Sequence, residues 1–212
     1  MNITLFGATG ALGSECLRQC LAAGHQVEVL VRHPEKLPQD LVDNIKVIEG
    51  DGLDVADVAK VIHDDTDAVM FAIGLDKHSP ERLCTVVTTN IFTAMAEHDV
   101  TRLVWCGGGS TFVEEDTITF GAQLVRKIAE SLMAPRHYDK EFQYQLFQQH
   151  AEIDWLGVRP LHMKNGEHSG EYRLGFDSFN GLSSISFADC ADAMVKMLSD
   201  DTWLRKAPII QY

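Results

Sequence analysis

A short apolar run, Ile3 to Phe6, leads directly into Gly7-Ala8-Thr9-Gly10-Ala11-Leu12-Gly13, and a helical pattern follows from Ala11 to Ala23. A strand, a glycine-rich turn and a helix in this order form a cradle for a pyrophosphate. Gly7 permits the tight turn, and Gly10, lacking a Cβ, lets the backbone approach the anion. Gly13 lets the helix pack close to the strand. The helix start adds unpaired N–H groups and a partial positive charge. The spacing is G-x-x-G-x-x-G, one residue wider at the first gap than the G-x-G-x-x-G fingerprint. A glycine triplet alone says little, and its strand–turn–helix setting gives it weight. Gly7, Ala8, Thr9, Gly10, Ala11, Leu12 and Gly13 are therefore expected to contact a dinucleotide.

The next strand, Gln26 to Val31, ends in Arg32-His33-Pro34-Glu35-Lys36. An acidic residue near this point would bind the ribose 2′-hydroxyl of NAD. Arg32 stands there instead, and a guanidinium pairs bidentately with a 2′-phosphate and stacks on adenine. The expected cofactor is NADP(H).

Further strands are expected at Asn44 to Glu49, Asp67 to Ile73, Thr101 to Cys106 and Ile153 to Val158. Helices are expected at Val55 to His63, Glu81 to His98, Thr117 to Met133 and His137 to Gln149, with Pro135 breaking the last two apart. After Pro160 the pattern loosens into short strands at Glu171 to Leu174, Ser184 to Phe187 and Pro208 to Gln211, with a helix from Phe187 to Leu198. The alternation predicts an α/β fold over residues 1–212, a Rossmann-like doubly wound parallel sheet in one NAD(P)-binding domain. Segment 160–185 is its small substrate-covering part.

Composition narrows the class. The chain is 212 residues long, 45% hydrophobic and 23% charged, which suits one well-buried domain. Its formal charge of −13, with no basic run, argues against nucleic acid and anionic membranes as partners. No apolar stretch approaches membrane-spanning length and the first residues enter a strand, so neither membrane span nor signal peptide is expected. Five cysteines, an odd and dispersed set, show no paired framework and read as reduced thiols of a cytoplasmic protein, and no metal site is expected. The helix Glu81 to His98 shows no evident apolar outer face, so a monomer is expected, with a dimer left open.

Ligands of such a sheet lie beyond the carboxyl ends of its strands. That rim carries Asp51 and Gly52 after the third strand, Ala72-Ile73-Gly74 after the fourth, Cys106-Gly107-Gly108 after the fifth, and Pro160-Leu161 after the sixth. Asp51 either accepts from an adenine amino group or caps a turn. Ala72 to Gly74 either pass along the ribose or simply end a strand. Gly107 to Gly109 either clear room for a flat substrate or form a flexible turn. Ser110 and His162 are the candidate catalytic residues: a hydroxyl beside the expected nicotinamide, and a histidine able to give up a proton near neutrality.

Alcohol dehydrogenases of the short-chain type need tyrosine and lysine at i and i+4, on one helix face. Tyr138 has Phe142 at that spacing, Tyr144 has Gln148 and Tyr172 has Phe176, so the pair is absent. The tyrosinate route, and with it nucleotide-sugar epimerase chemistry, is disfavoured.

Several segments together resemble the atypical short-chain dehydrogenase/reductases of the NmrA-like group. They are Phe6-Gly7-Ala8-Thr9-Gly10, Val29 to Arg32, Gly50-Asp51, Ser79-Pro80, Pro160-Leu161-His162, Ser169-Gly170-Glu171-Tyr172 and Gln211-Tyr212. Within the group the likeness is nearest to the flavin reductases that also reduce biliverdin-IXβ. The resemblance implies hydride transfer from NADPH to a flat conjugated acceptor: a flavin, a linear tetrapyrrole or a quinone. It also implies a pocket histidine at His162. The family's active-site serine sits two residues after the strand-ending cysteine, where this chain has Gly108, and Ser110 lies two residues further on. Two function classes follow: an NADPH-dependent reductase, and a relative that senses NADP(H) and regulates a partner without turnover.

Overall fold

The computed structural model describes residues 1–177 and 183–212. Its strands are β1 (Asn2–Phe6), β2 (Gln26–Val31), β3 (Lys46–Glu49), β4 (Ala68–Phe71), β5 (Arg102–Cys106), β6 (Asp154–Pro160), β7 (His162–Lys164), β8 (Arg173–Gly175), β9 (Ser184–Ser186) and β10 (Ile209–Gln211). Its α-helices are α1 (Ala11–Ala22), α2 (Val55–Val58), α3 (Leu83–Glu97), α4 (Phe120–Leu132), α5 (Ala134–Gln149) and α6 (Phe187–Lys196). The large sheet runs β3-β2-β1-β4-β5-β6-β10-β8, parallel throughout except for β8 against β10. This is a Rossmann-like doubly wound fold. The order reverses between β1 and β4, so the two sheet halves open a crevice there.

Strand alternation feeds two cores. Leu5, Val29, Met70, Val104 and Leu156 point to one face, under α1 and α6. Phe6, Leu30, Val69, Phe71 and Trp105 point to the other, under α3 and α5. Strands buried on both faces explain why these runs are apolar at nearly every position.

The expectations fail in three informative places. The helix from Val55 stops at Val58, because Lys60 and Val61 bond three residues back rather than four, tightening into turns. Pro135 sits in the first turn of α5, where its missing N–H costs nothing, so it opens that helix. His162 lies in β7, which pairs in parallel with β9; a three-residue run carries too little periodicity to be read. The expected helix over Thr117 to Met133 forms as α4, and its apolar residues do not pack in the core. Only Ala122 and Ala129 are buried, while Leu124, Ile128 and Leu132 are 50%, 46% and 78% exposed.

Segment 160–185 packs against the sheet edge, although its residues 178–182 lie outside the described residues. Asp189 holds it. The carboxylate accepts from the Ser169 and Gly170 amides at 2.8 Å, from Ser169 Oγ at 2.8 Å and from Tyr212 Oη at 2.7 Å. Burial alone would raise this acid. The Gly170 amide, the Tyr212 hydroxyl and Ser169 outweigh it and hold the pKa at about 2. Among the described residues, no helix is long and apolar enough to cross a membrane.

Candidate active site

Two clefts meet at the carboxyl ends of the strands and share Gly10, Ile73 and Gly74. The smaller, of about 170 Å³, reaches Arg32 and Asp51 beside β2 and β3. The larger, of about 490 Å³, reaches the Gly107 to Ser110 turn and α5. The glycine turn joins them by close approach. Gly7 takes φ +92°, and a Cβ there would lie 2.7 Å from the Ala72 carbonyl carbon. A Cβ on Gly13 would lie 2.0 Å from Gly7 O, so helix α1 can start there only with glycine. Gly10 caps α1, which has neither a capping side chain nor an acid in its first turn. Its N–H groups are thus left for an anion, and the cradle fits the pyrophosphate of a dinucleotide.

Thr9 and Gly52 line the smaller cleft, and Ala11 and Leu12 the larger. Ala8 is fully buried beneath the turn and reaches neither cleft. Arg32 lines the small cleft, is exposed, and has no hydrogen bond or ion pair among the described residues. Asp51 lines it too, but Oδ1 accepts from the Leu53 amide at 3.0 Å, the turn-capping role. Ala72 turns its side chain into the core, so the cleft meets its backbone.

The three glycines after Cys106 have separate causes. A Cβ on Gly107 would strike the Trp105 ring at 2.7 Å, and one on Gly109 would lie 2.7 Å from Leu161 Cα. Only Gly108 has room, its nearest neighbour being Lys140 Cγ at 3.8 Å. Packing therefore demands glycine at two of the three positions, which neither a flexible turn nor a cleared floor would explain.

Beyond the glycines, Ser110 Oγ lies 3.0 Å from His137 Nδ1. The His137 side chain is 0% exposed, its Nε2 has no hydrogen-bond partner among the described residues, and Glu130 Oε1 is 3.9 Å from that nitrogen. Desolvation lowers the imidazole pKa from its ordinary 6.5, partly opposed by Glu141. One turn along α5, Lys140 Nζ donates to Cys106 O at 3.0 Å, to Gln143 Oε1 at 3.3 Å and to Ile73 O at 3.4 Å. It thereby ties the ends of β4 and β5 to the cleft floor. Arg136, four residues before Lys140, also lines the cleft and has no polar partner among the described residues.

Two buried carboxylates fix this arrangement. Asp139, on α5, accepts from the amides of Cys84 and Thr85 at 2.8 and 2.9 Å and so caps α3 from outside. Asp116 pairs with the fully buried Arg159 through contacts of 2.5 and 2.8 Å, while Arg159 also donates to the carbonyls of Thr111 and Ala207. This pair pins the loop that follows Ser110 onto β6.

His162 does not join this group. Its neighbours Leu161 and Met163 line the cleft together with Pro160, while His162 is exposed and does not. Strand alternation in β7 turns it outward, which corrects its expected place in the pocket. Sequence reasoning missed His137 and Arg136, and weighed Lys140 only as a partner of Tyr138, which two residues' separation puts on another helix face. The search for tyrosine four residues before a lysine passed over Lys140, because arginine occupies that place.

A family model described as NAD(P)H-binding matches residues 7–201. The uncharacterized protein YwnB of Bacillus subtilis (strain 168) is 27% identical over 211 residues, covering 93% of this chain and 92% of YwnB. Two solved structures share the fold. A short-chain dehydrogenase/reductase of Veillonella parvula, crystallised with NADP, has TM-score 0.80 and 15% identity, covering 100% of this chain and 94% of that one. ChuY of Escherichia coli O157:H7, described as an anaerobilin reductase, has TM-score 0.80 and 15% identity, covering 100% of this chain and 97% of that one. With the glycine cradle, the crevice at the strand reversal and a family match over most of its length, this chain belongs to the NAD(P)H-binding family.

Proposed function

We propose that the protein is an NADPH-dependent reductase of flat, conjugated acceptors such as flavins, linear tetrapyrroles or quinones. The observation that carries this reading is the larger cleft. It continues from the dinucleotide cradle into a compartment walled by Val125, Met133, Leu161, Met163 and Phe187, with one polar corner at Ser110 and His137. Apolar walls suit a planar π-system. The names of the NADP-bound and anaerobilin-reducing structural neighbours support the same class.

Arg32 binds the 2′-phosphate, the first turn of α1 holds the pyrophosphate, and Lys140 steadies the cofactor beside the glycine turn. NADPH, when bound, supplies the hydride. Ser110 hydrogen-bonds the acceptor heteroatom that gains negative charge and gives it its hydroxyl proton, and His137 in its cationic form replaces that proton on Ser110 Oγ from Nδ1, leaving a neutral imidazole. No tyrosine is required, because a conjugated acceptor takes hydride without prior activation.

The alternative, a cofactor sensor without turnover, draws on Arg136 standing where a dehydrogenase tyrosine would be. Loss of NADPH absorbance with FMN, riboflavin, biliverdin and quinones tests both. Acceptor-dependent oxidation, faster than with NADH, supports the reductase; tight NADPH binding with no oxidation by any acceptor overturns it in favour of the sensor.

A further inference from the structure

Helix α4 is apolar on two sides. Val125, Ala129 and Met133 face inward and line the larger cleft. Phe120, Leu124, Ile128 and Leu132 recur every four residues along the outer side, exposed by 83%, 50%, 46% and 78%. Ile118, just before the helix, extends this stripe at 47% exposure. On neighbouring α5, by contrast, the exposed Phe142 ring is covered by the Arg82 guanidinium, 4.5 Å from its centroid. The open apolar surface is thus concentrated on one helix.

We propose that this face docks on the same face of a second copy of the chain, as an antiparallel α4–α4 pair about a two-fold axis. Three observations favour a second copy. First, the stripe is self-complementary: reversing it about a point between Leu124 and Ile128 sets Phe120 against the partner's Leu132 and Leu124 against the partner's Ile128. Ridges spaced by four residues interdigitate in the commonest class of helix packing, and two-fold contacts use one patch twice. Second, the area fits. At roughly 150–200 Å² per fully exposed large side chain, these five residues leave on the order of 500 Å² open, so two copies would bury about 1,000 Å², the least expected of a specific interface. Third, charge disfavours lipid. The exposed row beside the stripe is Gln123, Lys127 and Ser131, with a single charge, whereas exposed Glu114 and Glu115 precede the helix and the chain carries −13 overall. An anionic bilayer would repel such a surface, while the nearly uncharged row adds little repulsion between copies.

The expectation of a monomer rested on the segment Glu81 to His98, which does not carry this face. Pairing through α4 would place the second copy one helix away from the acceptor compartment, behind the wall made by Ala129 and Met133.

The test is the mass of the full-length protein by light scattering and sedimentation velocity, over about a hundredfold range of protein concentration. Wild type is compared with Phe120→Glu, Leu132→Glu and, as a control at an exposed apolar residue elsewhere, Val55→Glu. All three side chains are exposed, so each variant should fold; circular dichroism checks this. The expected result is a wild-type dimer, with the dissociation constant raised at least about tenfold by either α4 change and unmoved by Val55→Glu. A wild type that stays monomeric throughout overturns the proposal, as does a dimer insensitive to both α4 variants. A monomer that binds phosphatidylserine vesicles through Phe120 and Leu132 overturns it in favour of a membrane surface.

Discussion

Ser110 Oγ and His137 Nδ1 stand 3.0 Å apart, on elements that two buried carboxylates help to hold together: Asp116 pins the loop after Ser110, and Asp139 docks α5 on α3. The imidazole is fully enclosed and desolvation lowers its pKa below 6.5, so the neutral form is favoured at pH 7 and acid is needed to form the cation. As a cation its Nδ1 donates to Ser110, leaving the serine proton for the acceptor. Turnover should therefore rise as pH falls below 6.5. His137→Gln should flatten that limb, and Ser110→Ala should lower kcat about tenfold to a hundredfold with unchanged NADPH affinity. A pH–rate profile of the three proteins checks this; an identical acid limb in His137→Gln removes the histidine from the proton path.

Arg32 has no protein partner to compensate its charge among the described residues, so its removal should cost the cofactor more than the fold. Arg32→Ala should weaken NADPH binding by about tenfold to a hundredfold, the value of one or two charge-assisted hydrogen bonds, and NADH by no more than about twofold. Fluorescence titration with both cofactors reads the difference. Equal losses would mean that Arg32 does not contact the 2′-phosphate.

The glycine triplet gives a graded expectation. Gly107→Ala and Gly109→Ala each force a Cβ to within 2.7 Å of fixed atoms and should destabilise by about 1–3 kcal/mol or more. Gly108→Ser should fold normally and place a hydroxyl in the cleft. If Ser110 acts as the proton donor, the added hydroxyl should partly restore turnover to Ser110→Ala. Melting temperatures and acceptor kinetics of the single and double variants decide it.

Asp189 makes an acid-stability prediction. Its folded pKa of about 2 lies below the ordinary 3.8, so the folded form binds protons less readily than the unfolded chain. The stabilisation is complete above pH 3.8 and drains away as pH falls towards 2, on the order of 2 kcal/mol in all. Asp189→Asn should lose that margin at neutral pH and show a flatter stability profile between these values. Urea unfolding at several pH values measures it; parallel profiles for the two proteins would contradict the assignment.

The sheet was legible because its strands are buried on both faces: Val29 to Val31 and Ala68 to Phe71 are apolar runs that a parallel core explains. The glycine cradle was legible because its spacing is local. What stayed hidden depends on distant contacts. The direction in which α5 presents His137 and Lys140 is set by Asp139 reaching residues 54 and 55 positions away. The period of α4 reveals that one face is apolar, but not whether that face meets the core, the cleft or water. His162 was misplaced because β7 exists only through its pairing with β9, which no local pattern announces.

The indole of Trp105 occupies the space in which side chains at Gly107 and Gly157 would lie; a Cβ on Gly157 would fall 2.3 Å from its Nε1. This imposes an order on evolutionary change. A lineage can acquire side chains at 107 or 157 only after the ring at 105 has been replaced by something smaller, and regaining the ring requires both glycines first. The three positions should therefore be inherited as a block, and glycine at 107 in a relative reports the history of the tryptophan more directly than the identity of the substrate.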